Sequence, residues 1–293
     1  MRKFLRKSIF FVGFSVFLLA CDKSVYVPSY IVIDKIDLTV DYATQGSDSK
    51  DITDAWVYID NKAIGVFQLP AKFPVLKEGE HTIDVSPGIK LSGVSETRAP
   101  YPFYTIYTQQ VSLTKGEITV VKPTVSYTAF AKFAWLEDFE SPGITMTKTT
   151  RSDTNLNVIS LVSDVFEGNK SGASFLSASQ SRTRLELKSN DAFVLPTAGS
   201  NVFLELNYKV SETVAVGVYA NTPSESIQQT AVYLKTTANS SGNLEWKKIY
   251  INLSSVVSPQ TSAKDFNIFI YAETSPEVPE PAFYFDNIKL VYQ

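Results

Sequence analysis

Apolar side chains in the second half of the chain recur at every other position, and few folds accommodate that pattern. Val202, Leu204, Leu206, Tyr208 and Val210 form one run. Val214, Val216 and Val218 form another, as do Ile249, Ile251 and Leu253, and then Phe266, Ile268 and Ile270. A β-strand sends successive side chains to opposite faces, so each run specifies a strand with one buried and one wetter face. Asn221-Thr222-Pro223 and Asn239-Ser240-Ser241-Gly242-Asn243 separate the runs with turn chemistry. Long helical apolar stripes are absent beyond residue 20, while the 15 tyrosines and 19 phenylalanines suit strands. The chain is therefore expected to be all-β and built from sandwiches.

The first half repeats the theme. Ile31 and Ile33, then Ile36, Leu38 and Val40, alternate as in a half-buried strand. Ala55-Trp56-Val57-Tyr58-Ile59 and Ala63-Ile64-Gly65-Val66-Phe67 flank Asp60-Asn61-Lys62, a hairpin whose Asp and Asn tolerate the positive φ of a tight turn. Leu113 to Val121 reads as a second hairpin around Lys115-Gly116, and Val125 to Phe133 as the closing strand of this unit. These signals place one sandwich at residues 31–130 and a second at 131–293.

The first twenty residues differ in kind. Arg2, Lys3, Arg6 and Lys7 precede an apolar run from Ser8 to Leu19. That run has signal-peptide length and is shorter than the roughly 20 residues of a spanning helix. Leu18-Leu19-Ala20-Cys21 resembles the lipobox of bacterial lipoproteins at every position. The resemblance implies a signal peptide at residues 1–20 cleaved before Cys21, acylation of Cys21, and a lipidated tether at 21–30. Its implied location is the cell envelope, with the outer membrane favoured, its outer surface included, and Asp22 leaving the sorting step open. A tether of this length reaches about 30 Å when extended, which keeps the first sandwich near the membrane. Cys21 is the only cysteine, so no intrachain disulfide can form and an apolar core must supply stability. Loss of the four basic residues takes the formal charge from −3 to −7, a poor balance for nucleic-acid binding.

Two further resemblances concern the body of the chain. Val57-Tyr58-Ile59-Asp60-Asn61-Lys62, Ile64-Gly65 and Gly79-Glu80-His81-Thr82-Ile83-Asp84-Val85 resemble the PEGA-like family of small immunoglobulin-like sandwiches. That likeness implies a non-enzymatic envelope module in which His81, the sole histidine, is structural; the link from Phe67 to Leu76 is longer than the family's. Leu136-Glu137-Asp138-Phe139-Glu140, Phe166-Glu167-Gly168-Asn169-Lys170-Ser171 and Phe285-Asp286-Asn287-Ile288 resemble motifs of the galactose-binding-like carbohydrate-binding jelly rolls. The second likeness implies a jelly roll that binds polysaccharide. It also implies a structural calcium ion at Glu140 and Asp286, with Glu167 as a third oxygen donor.

The residues themselves supply candidate platforms for a sugar. Tyr219, Tyr250, Phe269 and Tyr271 lie opposite the apolar faces, Trp246 stands at a strand start, and Asn207, Lys209, Asn252 and Asn267 offer hydrogen bonds. Arg182, Arg184, Glu186 and Lys188 read as a solvated strand face. The sequence has no Gly-x-Ser-x-Gly elbow, phosphate loop or His-rich metal motif. One histidine also excludes a multi-histidine zinc site. The expectation is a non-catalytic, membrane-anchored lipoprotein that binds glycan through its C-terminal jelly roll. The alternative is a scaffolding envelope lipoprotein that docks onto a protein partner.

Overall fold

The computed structural model describes residues 27–293; the signal segment and Cys21 lie outside the described residues. Nearly all regular structure is strand. The first half contains β1 (Ser29–Ile33), β2 (Asp37–Thr39), the single-turn helix α1 (Tyr42–Gln45), β3 (Asp54–Ile59), β4 (Lys62–Gln68), β5 (Ala71–Val75), β6 (Gly79–Lys90), β7 (Arg98–Pro100), β8 (Tyr107–Leu113), β9 (Ile118–Val120) and β10 (Thr124–Ser126). The second contains β11 (Lys132–Glu137), β12 (Met146–Lys148), β13 (Asn157–Ile159), β14 (Ser171–Phe175), β15 (Arg184–Ser189), β16 (Val202–Val210), β17 (Val214–Asn221), β18 (Ser226–Leu234), β19 (Lys247–Asn252), β20 (Asp265–Glu273) and β21 (Ala282–Tyr292).

In the first sandwich a sheet β4-β3-β6-β7, with β8 also on β6, packs against the smaller sheets β5-β1-β9 and β10-β2. Alternate residues such as Ile31, Ile33, Val57, Ile59, Ile83 and Val85 meet in its core. The expected β3–β4 hairpin forms, with Asp60 and Asn61 at φ 51° and 61°. Asp60 then fastens the turn: its Oδ2 lies 2.7 Å from Lys77 Nζ and 2.8 Å from His81 Nδ1. His81 is thus occupied by the turn. The long link after Phe67 contains β5, which crosses to pair with β1. The hairpin expected at Leu113–Val121 does not form. β8 pairs with β6, whereas β9 runs parallel to β1 in the other sheet. The backbone groups of the turn bond to the β1 end instead, Gly116 N to Pro28 O and Tyr30 N to Glu117 O.

The second sandwich is a jelly roll of two antiparallel sheets. One has the order β13-β14-β21-β16-β19 with β11 also on β21; the other is β12-β15-β20-β17-β18. Leu187, Leu204, Val216, Ile251, Ile270 and Phe285 are among the alternating residues that fill the space between them. One face departs from the period-two expectation. All nine residues of β16 are buried, including Glu205, Asn207 and Lys209. The outer face of this sheet is covered at one end by the first sandwich, whose core takes in Phe203, Tyr250 and Val291. The exposed edge of β19 is capped as well, since Ser92 N donates to Tyr250 O at 2.8 Å and Leu91 bridges to Tyr250. This contact takes up part of the edge that another chain could otherwise join. Glu186 also departs from the solvated face expected of it: it is 2% exposed and accepts hydrogen bonds from Tyr219 at 2.7 Å and Arg151 at 2.7 Å.

Candidate functional site

The interface between the sandwiches is built around a buried charge. Glu205 Oε1 accepts from the hydroxyls of Tyr101 at 2.7 Å and Tyr127 at 2.9 Å. Its Oε2 lies 3.1 Å from Lys248 Nζ, an ion pair outside hydrogen-bond alignment. Burial alone would raise this carboxyl, but Lys248, Lys289 and the two phenols outweigh it and hold Glu205 below the usual glutamate range. Lys289 donates to Ser47 O and to the Tyr127 hydroxyl. Burial is the larger influence on it and brings it down to about 8 against the pull of Glu205. Tyr250 belongs to the same interface, its hydroxyl accepting from Asp51 N at 3.1 Å and lying 3.1 Å from that of Tyr104.

Beside this contact, where the first sandwich stops covering the sheet, a cleft of about 570 Å³ opens. Its volume falls within the roughly 300–1,000 Å³ typical of small-molecule sites. The first sandwich contributes Ser49, Lys50, Asp51, Lys90 and Gly93, the second Phe166, Asn207, Trp246, Lys247 and Lys248. Gly93 has φ +74°, and a Cβ there would approach Ile249 Cδ1 to 3.2 Å, so the cleft wall is drawn in at that point. Asn207 is 1% exposed; its Nδ2 donates to Ser49 Oγ at 2.9 Å. Asn207 Oδ1 and Trp246 Nε1 are buried without a hydrogen-bond partner among the described residues. Lys248 Nζ, on a third lining residue, also lacks a hydrogen-bond partner among the described residues, so the polar side chains behind this wall are incompletely paired.

Aromatic rings lead into this cleft across the outer face of the sheet. Phe175 meets Tyr284 at 5.8 Å between centroids, Tyr284 meets Trp246 at 6.4 Å, and Trp246 meets Phe166 at 5.4 Å. Phe175 and Phe166, at the two ends, are exposed. Lys209 Nζ stands 4.3 Å from the Tyr284 centroid and 5.5 Å from that of Trp246, and is paired with Asp164 at 2.9 Å.

The sequence candidates therefore separate. Trp246 sits in the cleft. Tyr250 lies behind it, 1% exposed, with its ring and hydroxyl spent on the interface. Tyr219 and Tyr271 belong to the other sheet, where Tyr219 borders a shallow groove of about 500 Å³ with Arg151, Glu186, Lys188 and Asn267. There the polar groups satisfy one another. Tyr219 donates to Glu186, Arg151 spans both, Asn267 Nδ2 donates to Asp191 O at 2.8 Å, and the Arg184 guanidinium covers the Tyr271 ring at 5.7 Å. Burial, followed by the Glu186 contact, pushes the Tyr219 phenol far up. Phe166, Phe175 and Tyr284 were missed as platforms; two of them lie within or beside the motifs quoted above, but nothing local marks them as sharing a surface.

The residues expected to hold calcium do not suit it. Glu140 Oε1 accepts the N–H groups of Asn169 at 2.6 Å and Lys170 at 2.8 Å. Gly168, at φ +67°, permits this, because a Cβ there would lie 2.5 Å from that oxygen. Asp286 accepts from Ser171 Oγ and, at 2.8 Å, from Asn287 N, and burial pushes it up to about 7. Glu167 accepts from Ser47 Oγ and Asn287 Nδ2. Calcium requires about six to eight oxygen ligands, whereas these carboxylates face N–H and O–H hydrogens. Among the described residues no group of three acidic, histidine or cysteine side chains converges on a metal position. Glu137 and Asp138 are likewise structural, Glu137 accepting from Phe139 N at 2.8 Å and Thr145 N at 2.6 Å, and Asp138 from Glu140 N at 3.1 Å.

No family model and no curated relative matches the chain. Among solved structures it is similar to the CBM22-2 xylan-binding domain from Paenibacillus barcinonensis Xyn10C, at 18% identity over 55% of this chain and 99% of that one, with a TM-score of 0.38. It is also similar to TmCBM61 in complex with beta-1,4-galactotriose, at 14% identity over 50% and 87%, TM-score 0.33. A cyclase from Fischerella sp. TAU matches at 11% identity over 56% and 98%, TM-score 0.37. Likenesses this distant carry no functional argument.

Proposed function

We propose that the chain is a non-catalytic envelope lipoprotein that binds glycan in the cleft between its two sandwiches. The cleft lined by Trp246 and Phe166 carries this reading, because these two rings, set edge to face at 5.4 Å, stand beside the polar side chains of both sandwiches. Aromatic rings match the C–H surface of a sugar, and Ser49, Lys50, Lys90 and Lys247 add polar groups that can meet its hydroxyls. The groove beside Tyr219 is the weaker candidate, since its polar atoms already have partners. Membrane attachment through Cys21 belongs to the proposal and rests on Leu18-Leu19-Ala20-Cys21. Mass spectrometry of the N-terminal peptide from membrane fractions tests it, and an unacylated Cys21 would remove it.

Binding of the full chain to an array of neutral and acidic glycans is the direct test. Trp246→Ala should weaken any glycan that binds by about tenfold, the scale of one lost ring contact. A blank array, or full binding by the alanine variant, would remove the cleft from consideration.

A further inference from the structure

Resting on that reading of the cleft, we propose that its ligand is an anionic glycan, a saccharide carrying carboxylate or sulfate groups, which Lys90 and Lys247 attract, one from each sandwich. Four lysines line the cleft, Lys50, Lys90, Lys247 and Lys248, against one acid, Asp51. Two of the four are already engaged: Lys50 lies 3.5 Å from Asp37, and Lys248 lies 3.1 Å from Glu205. Lys90 and Lys247 make no ion pair among the described residues. Asp51, which burial raises above the usual aspartate range and Lys90 draws back down, is a single negative charge against the four lysines. A basic cleft is unexpected in a chain whose formal charge is −3, so the local excess is a property of this site and not of the surface at large.

The two lysines reach the cleft from different units. Lys90 ends β6 in the first sandwich, and Lys247 begins β19 in the second, paired with Tyr208 at the sheet edge. A saccharide in the cleft would therefore meet a positive charge from each sandwich. Lysine is a compact point charge on a flexible stem, and it accepts carboxylate and sulfate alike.

Calorimetric titration of the full chain tests this with three probes of equal length: an oligogalacturonate, a sulfated galactan oligosaccharide and the neutral galactan oligosaccharide. At least one acidic probe should bind about tenfold or more tighter than the neutral one, as expected for one or two charge-assisted contacts. Whichever acidic probe wins names the anion. High salt should erase that margin. The double variant Lys90→Gln, Lys247→Gln, checked for an unchanged melting midpoint, should bind acidic and neutral probes alike. A neutral probe that binds as tightly as both acidic ones, or a double variant that keeps the preference, overturns the anionic assignment and leaves the cleft reading standing. Failure of all three probes to bind overturns the cleft reading and this inference with it.

Discussion

Replacing Glu205 with glutamine should destabilise the chain by ~3–5 kcal/mol, the usual cost of removing one partner of a buried ion pair. Glu205 is fully buried, and the side chains of Lys248 and Lys289 are nearly so. At 3.1 Å and an effective dielectric constant of about 20, the Lys248 contact alone is worth roughly 5 kcal/mol in gross Coulomb energy. Glutamine relieves the chain of desolvating a carboxylate and can still accept from Tyr101 and Tyr127. Two ammonium groups then remain at the interface without a counter-charge. Lys289 can escape by losing its proton, since it already sits at about 8; at about 1.4 kcal/mol per pH unit, that route keeps the total from running higher. Urea unfolding of the parent, Glu205→Gln, Lys248→Met and the double variant gives the cycle. Each single change should lower stability by ~3–5 kcal/mol, and the double change by at least ~2 kcal/mol less than their sum. Stability of Glu205→Gln should also climb more steeply than the parent's as pH rises above 7, because the unfolded chain then holds lysine protons that the fold rejects. A Glu205→Gln variant within ~1 kcal/mol of the parent, or a strictly additive cycle, would refute the account of the interface.

Asp286 sets a second pH dependence, of opposite sign. Its carboxyl is raised to about 7, so the fold binds its proton more tightly than the unfolded chain, and the stabilisation it brings is lost as pH rises from about 4 to 7. Asp286→Asn should flatten that slope in melting curves and be stabilising above pH 7 by as much as ~4 kcal/mol; an unchanged slope would count against the buried-acid assignment. Tyr250→Phe should cost ~1 kcal/mol in urea unfolding through the lost contacts to Asp51 N and Tyr104, and an unchanged midpoint would count against a role for that hydroxyl in the interface. Melting midpoints in EDTA and in millimolar calcium should coincide, and a rise with calcium would show that Glu140 and Asp286 can turn from their hydrogen-bond donors to a cation.

Period-two alternation made the strands and both sandwiches legible, because it depends only on neighbouring residues. It assigns each residue to a face and is silent on what that face meets. Glu205, between Leu204 and Leu206, and Lys289, between Ile288 and Leu290, carry the pattern of wetted positions, yet both are buried. A hint was present in Phe203, Tyr250 and Val291, large apolar side chains on the face that alternation marks as wet. Pairing Glu205 with two lysines on separate strands requires the strand register, which no local pattern carries. The acidic motifs were similarly half-legible: residue type marked Glu140 and Asp286 as oxygen donors, but ligation depends on where the oxygens point, and the loop at 168–171 turns N–H and O–H groups toward them.

The same dependence on arrangement governs the candidate site. Phe166 and Trp246 are eighty residues apart, and Lys90 and Lys247 belong to different sandwiches, so the cleft exists only while the two units stay docked. Ser49, Lys50, Asp51 and Lys90 form one wall and the jelly roll the other, with the Glu205 network directly behind them. Loosening that network should therefore weaken binding and stability together, even though Glu205 itself does not line the cleft. Lys90→Gln and Lys247→Gln, which leave the network intact, should separate the two effects.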